Sequence, residues 1–263
     1  MTETSRPGRH QGRRVVVTGA AGGIGAATAR CFANEGATVL AVDIADSAAL
    51  LDDISASGGT ALALEADLSS TEAAQAVVDE AVGKLGGIDV LVHNAGAALP
   101  GRVEELSLED LDAMWSLNVR AGLLLAQHVI APMRAGGGGS ILYTGAAAAL
   151  HGQPMLAGYG ASKAALHNVV ASMALEYARD EIRVNAVAPG PTRTGMTARA
   201  RQVFGGQGGD PMALLPLAHI IEPEEIAEGF SYLASSAARS ITGHVLAIDC
   251  GITAGRFVPP PPR

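Results

Sequence analysis

The sequence predicts an α/β fold: a single domain with a doubly wound parallel sheet between two helical layers, three layers in all. Three observations predict it. Short β-branched runs alternate with alanine-rich helical stretches along most of the 263 residues, as βαβ units require. A glycine-rich turn, Thr18-Gly19-Ala20-Ala21-Gly22-Gly23-Ile24-Gly25, follows the first of those runs. No linker and no repeat of solenoid period divides the chain.

The elements follow in order. Residues 14–18 form a buried strand, and 24–35 form the helix after the glycine turn. Residues 38–43 make the second strand, which ends on the carboxylate of Asp43. Residues 60–66 make the third, and Ser69-x-x-Glu72 has the form of a capping box opening the next helix. A fourth strand covers 88–93. A long helix over about 108–133 has Ser107 as its cap, and the glycine run 136–139 ends it. Strands at 140–144, 182–187 and 245–248 complete the sheet, with a helix carrying Tyr159 after the first of these. Residues 1–12 read as a frayed tail and 254–263 as a proline-rich one, which leaves the domain at 13–253.

Composition narrows the function. A net charge of −8 argues against a nucleic-acid groove. No run approaches the ~18 to 20 apolar residues of a membrane span, and the basic, polar N-terminus has no apolar signal core. Two cysteines, Cys31 and Cys250, are too few for a disulfide framework and read as reduced packing residues. A reducing compartment, most simply the cytoplasm, is the expectation.

Glycines 19, 23 and 25 permit a tight turn, close approach of main chain to a pyrophosphate, and packing of helix on strand. The helix beginning near Ile24 then offers free N–H groups and its positive dipole end to phosphate oxygens. Asp43, at the tip of the second strand, is placed to accept hydrogen bonds from both ribose hydroxyls of an adenosine. It would repel a 2′-phosphate, and Gly22 offers no compensating cation, so the reading is NAD(H). Further on, Tyr159 and Lys163 stand one helical turn apart on one face. A phenol beside a fixed ammonium has its anion stabilised, which makes Tyr159 a candidate general acid/base whose pKa falls from about 10 toward working pH.

Thr18-Gly-x-x-x-Gly-x-Gly25, Asp67-Leu68, His93-Asn94-Ala95-Gly96, Asn118, Tyr159-x-x-x-Lys163 and Pro189-Gly190-Pro191-Thr192 occur in one order. Together they resemble the short-chain dehydrogenase/reductase family, over roughly residues 12 to 251. The resemblance implies a Rossmann-like fold and transfer of a hydride between NAD(H) and an alcohol or carbonyl. It implies that Asp67 and Leu68 border the adenine and that the Asn94-Ala95-Gly96 main chain lies along the cofactor. Pro189, Gly190 and Thr192 would flank the nicotinamide, with Thr192 holding its carboxamide. Lys163 would bind the nicotinamide ribose and tune Tyr159. Asn118 would turn a carbonyl toward a water that links Lys163 to solvent. His93 replaces the usual first Asn of the family motif, a position that stabilises the central strand, and is expected to do the same. No metal ligand set is implied.

One family residue is absent. The serine that holds the substrate oxygen beside the Tyr hydroxyl falls, thirteen residues before Tyr159, on Ala146, which has no donor. Three readings stay open: an engineered Ser→Ala variant, a natural enzyme using Thr144, His151 or Gln153 instead, or a protein that binds NAD without hydride transfer. Residues 194–216 form a candidate lid, with Met196, Phe204, Met212, Leu214 and Leu215 on a glycine-rich loop. They suggest a lipophilic secondary alcohol or ketone, cyclic ones included, as the small-molecule substrate. The Tyr159 helix is apolar nearly all round, through Ala164, Leu166, Val169, Val170, Met173 and Leu175, which predicts burial against the sheet and against a partner. By family resemblance, that helix and the last strand would pair in a homotetramer.

Overall fold

A computed structural model describes residues 8–198 and 215–257. Seven parallel strands stand in the order β3-β2-β1-β4-β5-β6-β7. They are β1 (Arg14–Thr18), β2 (Thr38–Asp43), β3 (Thr60–Glu65), β4 (Val90–His93), β5 (Gly139–Thr144), β6 (Ile182–Pro189) and β7 (Val245–Ile248). The order reverses between β1 and β4. That reversal leaves a crevice beyond the carboxyl ends of the two strands, where open α/β sheets bind their ligands.

Both faces of the sheet are covered, and successive side chains divide between them as a strand's period of two dictates. Val16, Leu40, Leu91 and Ile141 enter one core with α3 (Ala73–Leu85), α5 (Ala121–Ala135) and α6 (Ala157–Tyr177). Their neighbours Val15, Val17, Val39, Val90 and Leu142 enter the other with α1 (Gly23–Asn34), α2 (Ala48–Ala56) and α7 (Pro223–Ala234).

The structure corrects the sequence reading at several points. Ser69-x-x-Glu72 does not form a capping box. Asp67 Oδ1 takes the Ser69 N–H at 2.9 Å, the Ser70 and Thr71 hydroxyls donate to Glu72, and α3 starts at Ala73. The long helix is two helices, α4 (Leu108–Trp115) and α5, joined by a π turn, Ser116–Arg120. Ser107 caps α4 as expected, accepting from the Asp110 N–H at 3.0 Å. Residues 8–12, read as part of a frayed tail, lie against the body: His10 is buried against Phe32 and lies 3.1 Å from Ser231 O on α7. Among the described residues no helix is long and apolar enough to cross a membrane.

Candidate active site

β1 delivers Thr18 to the mouth of the crevice, where the chain turns at Gly19 (φ 66°) and Gly23 (φ 55°), left-handed conformations that glycine adopts without strain. A Cβ on Gly19 would lie 2.9 Å from the Ala95 main chain, and one on Gly25 would collide with the Gly19 carbonyl. The turn can therefore be built only from glycine at these points. Gly22 is the N-cap of α1, with no side-chain cap and no acidic residue in the first turn. Those N–H groups need an acceptor, and an anion suits them. A cleft of about 540 Å³ runs beside Gly22, Gly23, Thr194 and Pro223.

Around the turn, the predicted cofactor residues converge. Asp43 Oδ2 accepts the Ala21 N–H at 2.9 Å and Oδ1 the Ala45 N–H at 2.9 Å, which ties the tip of β2 to the glycine turn. Hydrogen bonds from Ser69 hold the Asp67 carboxyl below its usual range, and Leu68 beside it is buried. Asn94 Nδ2 donates to Gly19 O at 3.1 Å, while its Oδ1 accepts the Thr144 hydroxyl at 3.0 Å. Gly96 packs so closely that a Cβ there would lie 2.8 Å from Asn118 Oδ1 and 3.3 Å from Lys163 Nζ. On the other side, Gly190 N–H donates to Ile248 O at 2.9 Å, and Thr192 is buried with its hydroxyl given to Gly190 O at 3.0 Å. Thr194, expected only as the first residue of the lid segment, lies against the glycine turn. Its methyl would be 3.1 Å from a Cβ on Gly23, and its hydroxyl accepts the Thr197 N–H at 3.2 Å.

α6 carries the chemical residues. Lys163 Nζ lies 6.0 Å from the Tyr159 ring centroid and donates to Thr144 O at 2.8 Å. Burial pushes Tyr159 up to about 12 and Lys163 down to about 8. The expected fall of the phenol pKa does not occur, because both groups are desolvated and the ammonium is turned to a carbonyl of β5. At neutral pH the phenol thus holds its proton and is a donor. Asn118 sits in the π turn. Its Nδ2 donates to Ala97 O and to Ser162 Oγ, each at 2.9 Å, and its Oδ1 accepts the Ala97 N–H at 2.8 Å. The side-chain oxygen is therefore held by the Ala97 loop.

Ala146 is buried, in extended backbone, directly before a short alanine turn, Ala147–Ala149. Of the three substitute donors, two are spent. Thr144 gives its hydrogen to Asn94. His151 Nδ1 faces Ala147 O at 3.0 Å, so it carries the ring hydrogen, and Nε2 accepts from Gln153 Nε2 at 3.1 Å. Gln153 keeps a second amide hydrogen. Nearby, Met155 holds a left-handed φ of 63° and its carbonyl accepts the Gly101 N–H at 2.9 Å. Strain of this kind gathers at functional loops. Of the lid residues, Met196 is exposed and Leu215 buried; Phe204, Met212 and Leu214 lie outside the described residues.

Cys31, Glu35 and Glu228 also meet. Arg9 already supplies the cation there, at 3.1 Å from Glu35 and 3.3 Å from Glu228, and burial pushes the Cys31 thiol up to about 12. The group is a charge network and a poor metal site, since a thiol ligates as its anion.

The profile of the family described as enoyl-(acyl carrier protein) reductase matches residues 19–253. The chain belongs to the short-chain dehydrogenase/reductase family. It is similar to the cis-4-hydroxycyclohexanecarboxylate dehydrogenase of Sinomonas cyclohexanicum, at 38% identity over 92% of this chain and 97% of that one. It is also similar to the 7alpha-hydroxysteroid dehydrogenase of Escherichia coli K12, at 34% identity over 92% and 95%. Among solved structures, a putative NAD(P)-dependent gluconate 5-dehydrogenase from Beutenbergia cavernae superposes with a TM-score of 0.88 at 35% identity, covering 93% of this chain and 98% of that one. A 7α-hydroxysteroid dehydrogenase complexed with NADH and 7-oxo glycochenodeoxycholic acid gives 0.84 at 33% identity, over 92% and 95%. This short-chain dehydrogenase/reductase therefore has the family's seven-stranded sheet and the general character of a dehydrogenase or reductase.

Proposed function

We propose that this chain is an NAD(H)-dependent oxidoreductase that interconverts a lipophilic secondary alcohol, cyclic by preference, and its ketone. The observation that carries the reading is the meeting of Tyr159, Lys163 and Asn118 at the crevice between β1 and β4, beside a glycine turn with an uncapped helix N-terminus. The glycine turn fits a dinucleotide, because the uncapped N-terminus of α1 lines the cleft at Gly22, where a Cβ would meet nothing of the protein. Asp43 would take the adenosine ribose, and its charge disfavours a 2′-phosphate. Asp67 and Leu68 would border the adenine, and Thr192 and Thr194 the nicotinamide end. When bound, the nicotinamide supplies or accepts the hydride.

The chain's own residues handle the proton. In the reducing direction Tyr159 donates its phenolic hydrogen to the carbonyl oxygen, and the Lys163 ammonium stabilises the phenolate left behind. Asn118 fixes the Ala97 loop against α6, so the floor of the crevice keeps its shape. Gln153, whose second amide hydrogen has no partner among the described residues, holds the substrate oxygen in place of a hydroxyl at residue 146. The similarity to enzymes named for a hydroxycyclohexanecarboxylate and a hydroxysteroid supports a ring-bearing alcohol.

The experiment is a short series with NADH and a panel of cyclic ketones. Gln153→Leu should lower kcat by the ~10²- to 10³-fold that one oxyanion-type donor is worth, while Ala146→Ser gains little. A large gain from Ala146→Ser would instead identify a site shaped for the missing hydroxyl, as an engineered deletion would leave it. The buried Ala146 also favours a second reading, a regulatory NAD-binding protein, which predicts NADH binding with no turnover in either variant.

A further inference from the structure

His93 closes β4, is 1% exposed, and has partners at both ring nitrogens. Those partners fix its tautomer. Leu117 O, 3.2 Å from Nε2, can only accept, so Nε2 carries the hydrogen. The Thr18 hydroxyl accepts the Asn94 and Ala95 N–H groups, each at 3.1 Å, which fills both lone pairs. Its own hydrogen therefore goes to His93 Nδ1, 3.1 Å away. Burial, reinforced by the Lys163 charge, pushes the His93 pKa down to about 3, so the ring is neutral.

The Leu117 carbonyl lies inside the π turn, where Ala121 N–H reaches back to Ser116 O, and the next residue is Asn118. Such turns often mark functional sites. A second observation concerns the space His93 occupies. A Cβ on Gly122 would lie 2.8 Å from His93 Cδ2 and 2.9 Å from Tyr143 Cε1. Glycine at 122 is thus what admits the imidazole, and Tyr143 closes the pocket edge-on at 6.0 Å and donates to Gly122 O at 3.2 Å.

We propose that His93 is a positioning residue for the reaction site, and more than a stabiliser of its strand. Its Nε2–H holds the π turn at Leu117 O, and so sets Asn118 against Ala97 and Ser162. Its Nδ1 locks the same ring to the Thr18 hydroxyl under the Asn94–Ala95 main chain. Of the two bonds, the one to Leu117 O is the one that reaches the Asn118 turn, and the one to Thr18 only seats the ring. The inference rests on the proposed function for its effect on turnover, and on geometry alone for the rest.

Two amide substitutions separate its halves. Asparagine reaches the place of Nδ1, so His93→Asn keeps the Thr18 bond and loses the one to Leu117. Glutamine reaches the place of Nε2, so His93→Gln keeps the donor to Leu117. His93→Asn should lower kcat about 5- to 30-fold, as expected from losing one buried hydrogen bond, with NADH affinity within about twofold, and His93→Gln should stay within about threefold of the parent. Equal kcat in the two variants, or a loss that tracks a fall in Tm in both, overturns the proposal. NMR supplies a readout independent of activity. The ¹⁵N shifts of His93 in the parent protein should show the neutral Nε2–H tautomer, and the Asn118 side-chain amide signal should move in His93→Asn and not in His93→Gln. An Nδ1–H or charged ring, or an Asn118 signal equally displaced in both, refutes the positioning role. A parent protein with the predicted NMR behaviour and no turnover would sink the functional reading alone.

Discussion

Burying Lys163 costs the fold stability. It is 3% exposed, has no carboxylate partner among the described residues, and rests on the Thr144 carbonyl. Its pKa falls from 10.5 to about 8. Between those values the unfolded chain binds a proton that the folded one does not, so this residue's contribution to stability should improve as pH rises across that window. Lys163→Met should therefore be more stable than the parent by on the order of 3 kcal/mol below pH 8, with the gain fading toward pH 10.5. Denaturant unfolding of both proteins at several pH values checks it, and a difference that does not change with pH would show that the buried charge is not the cause. Tyr159 and Lys163 were legible because a helix turns every 3.6 residues and their spacing states their shared face. Spacing says nothing about desolvation, which moves the phenol upward. Nor does spacing reveal that Asn118 Oδ1 binds the Ala97 N–H, or that His93 reaches a carbonyl 24 positions away.

Among the elements, α7 shows what a close reading of the sequence still leaves out. Glu222 and Glu225 form a capping box, Pro223 stands in the first turn, and Ile226, Phe230 and Leu233 face the core. These signals are all present in the sequence, and the residues were passed over because no chemical motif draws attention to them. α2 has less to read: only Leu50 and Ile54, one turn apart, are buried. The end of α7 depends on tertiary contacts that no local pattern announces. Arg183 Nη1 donates to Leu233 O at 2.6 Å and Nη2 to Ala234 O at 3.1 Å, and Arg13 joins at 2.8 Å. The last carbonyls of a helix need such donors, and cations suit its negative end. Arg183→Met takes the side-chain donor from Leu233 O and one of two from Ala234 O, which should cost about 2 to 4 kcal/mol. At roughly 2 to 4 °C per kcal/mol for a chain of this size, Tm should fall by about 4 to 16 °C. An unchanged Tm in scanning calorimetry would mean water replaces the guanidinium without loss. The glycine turn and α1, in contrast, were readable to within a residue, because each glycine answers a steric need of the main chain.

For the molecule as a unit, the parallel pairing follows from alternating strands and helices, which the sequence carries openly, whereas the reversal of order between β1 and β4 is not written in that alternation. Assembly is the larger expectation. β7 is an edge strand of apolar residues, half-exposed along its length, and such edges invite pairing. Leu175 on α6 is 85% exposed, with Trp115 and Leu123 exposed on neighbouring helices. Light scattering at micromolar concentration should find a multimer, a tetramer by preference, and a monomer would contradict that expectation. Cofactor choice belongs to the same scale, since it depends on charge at the crevice. Calorimetric titration should find NADH bound well ahead of NADPH, with Asp43→Ala narrowing the gap, and equal affinities in the parent would remove the role given to Asp43. The central claim is that Tyr159 passes a proton while a hydride passes between substrate and nicotinamide. The most direct measurement follows NADH consumption by the parent and by Tyr159→Phe across a panel of cyclic ketones. Turnover by the parent is expected, with a loss of ~10²- to 10⁴-fold in kcat for Tyr159→Phe and NADH affinity little changed. NADH bound tightly with no ketone reduced, or equal turnover by the two proteins, would contradict it.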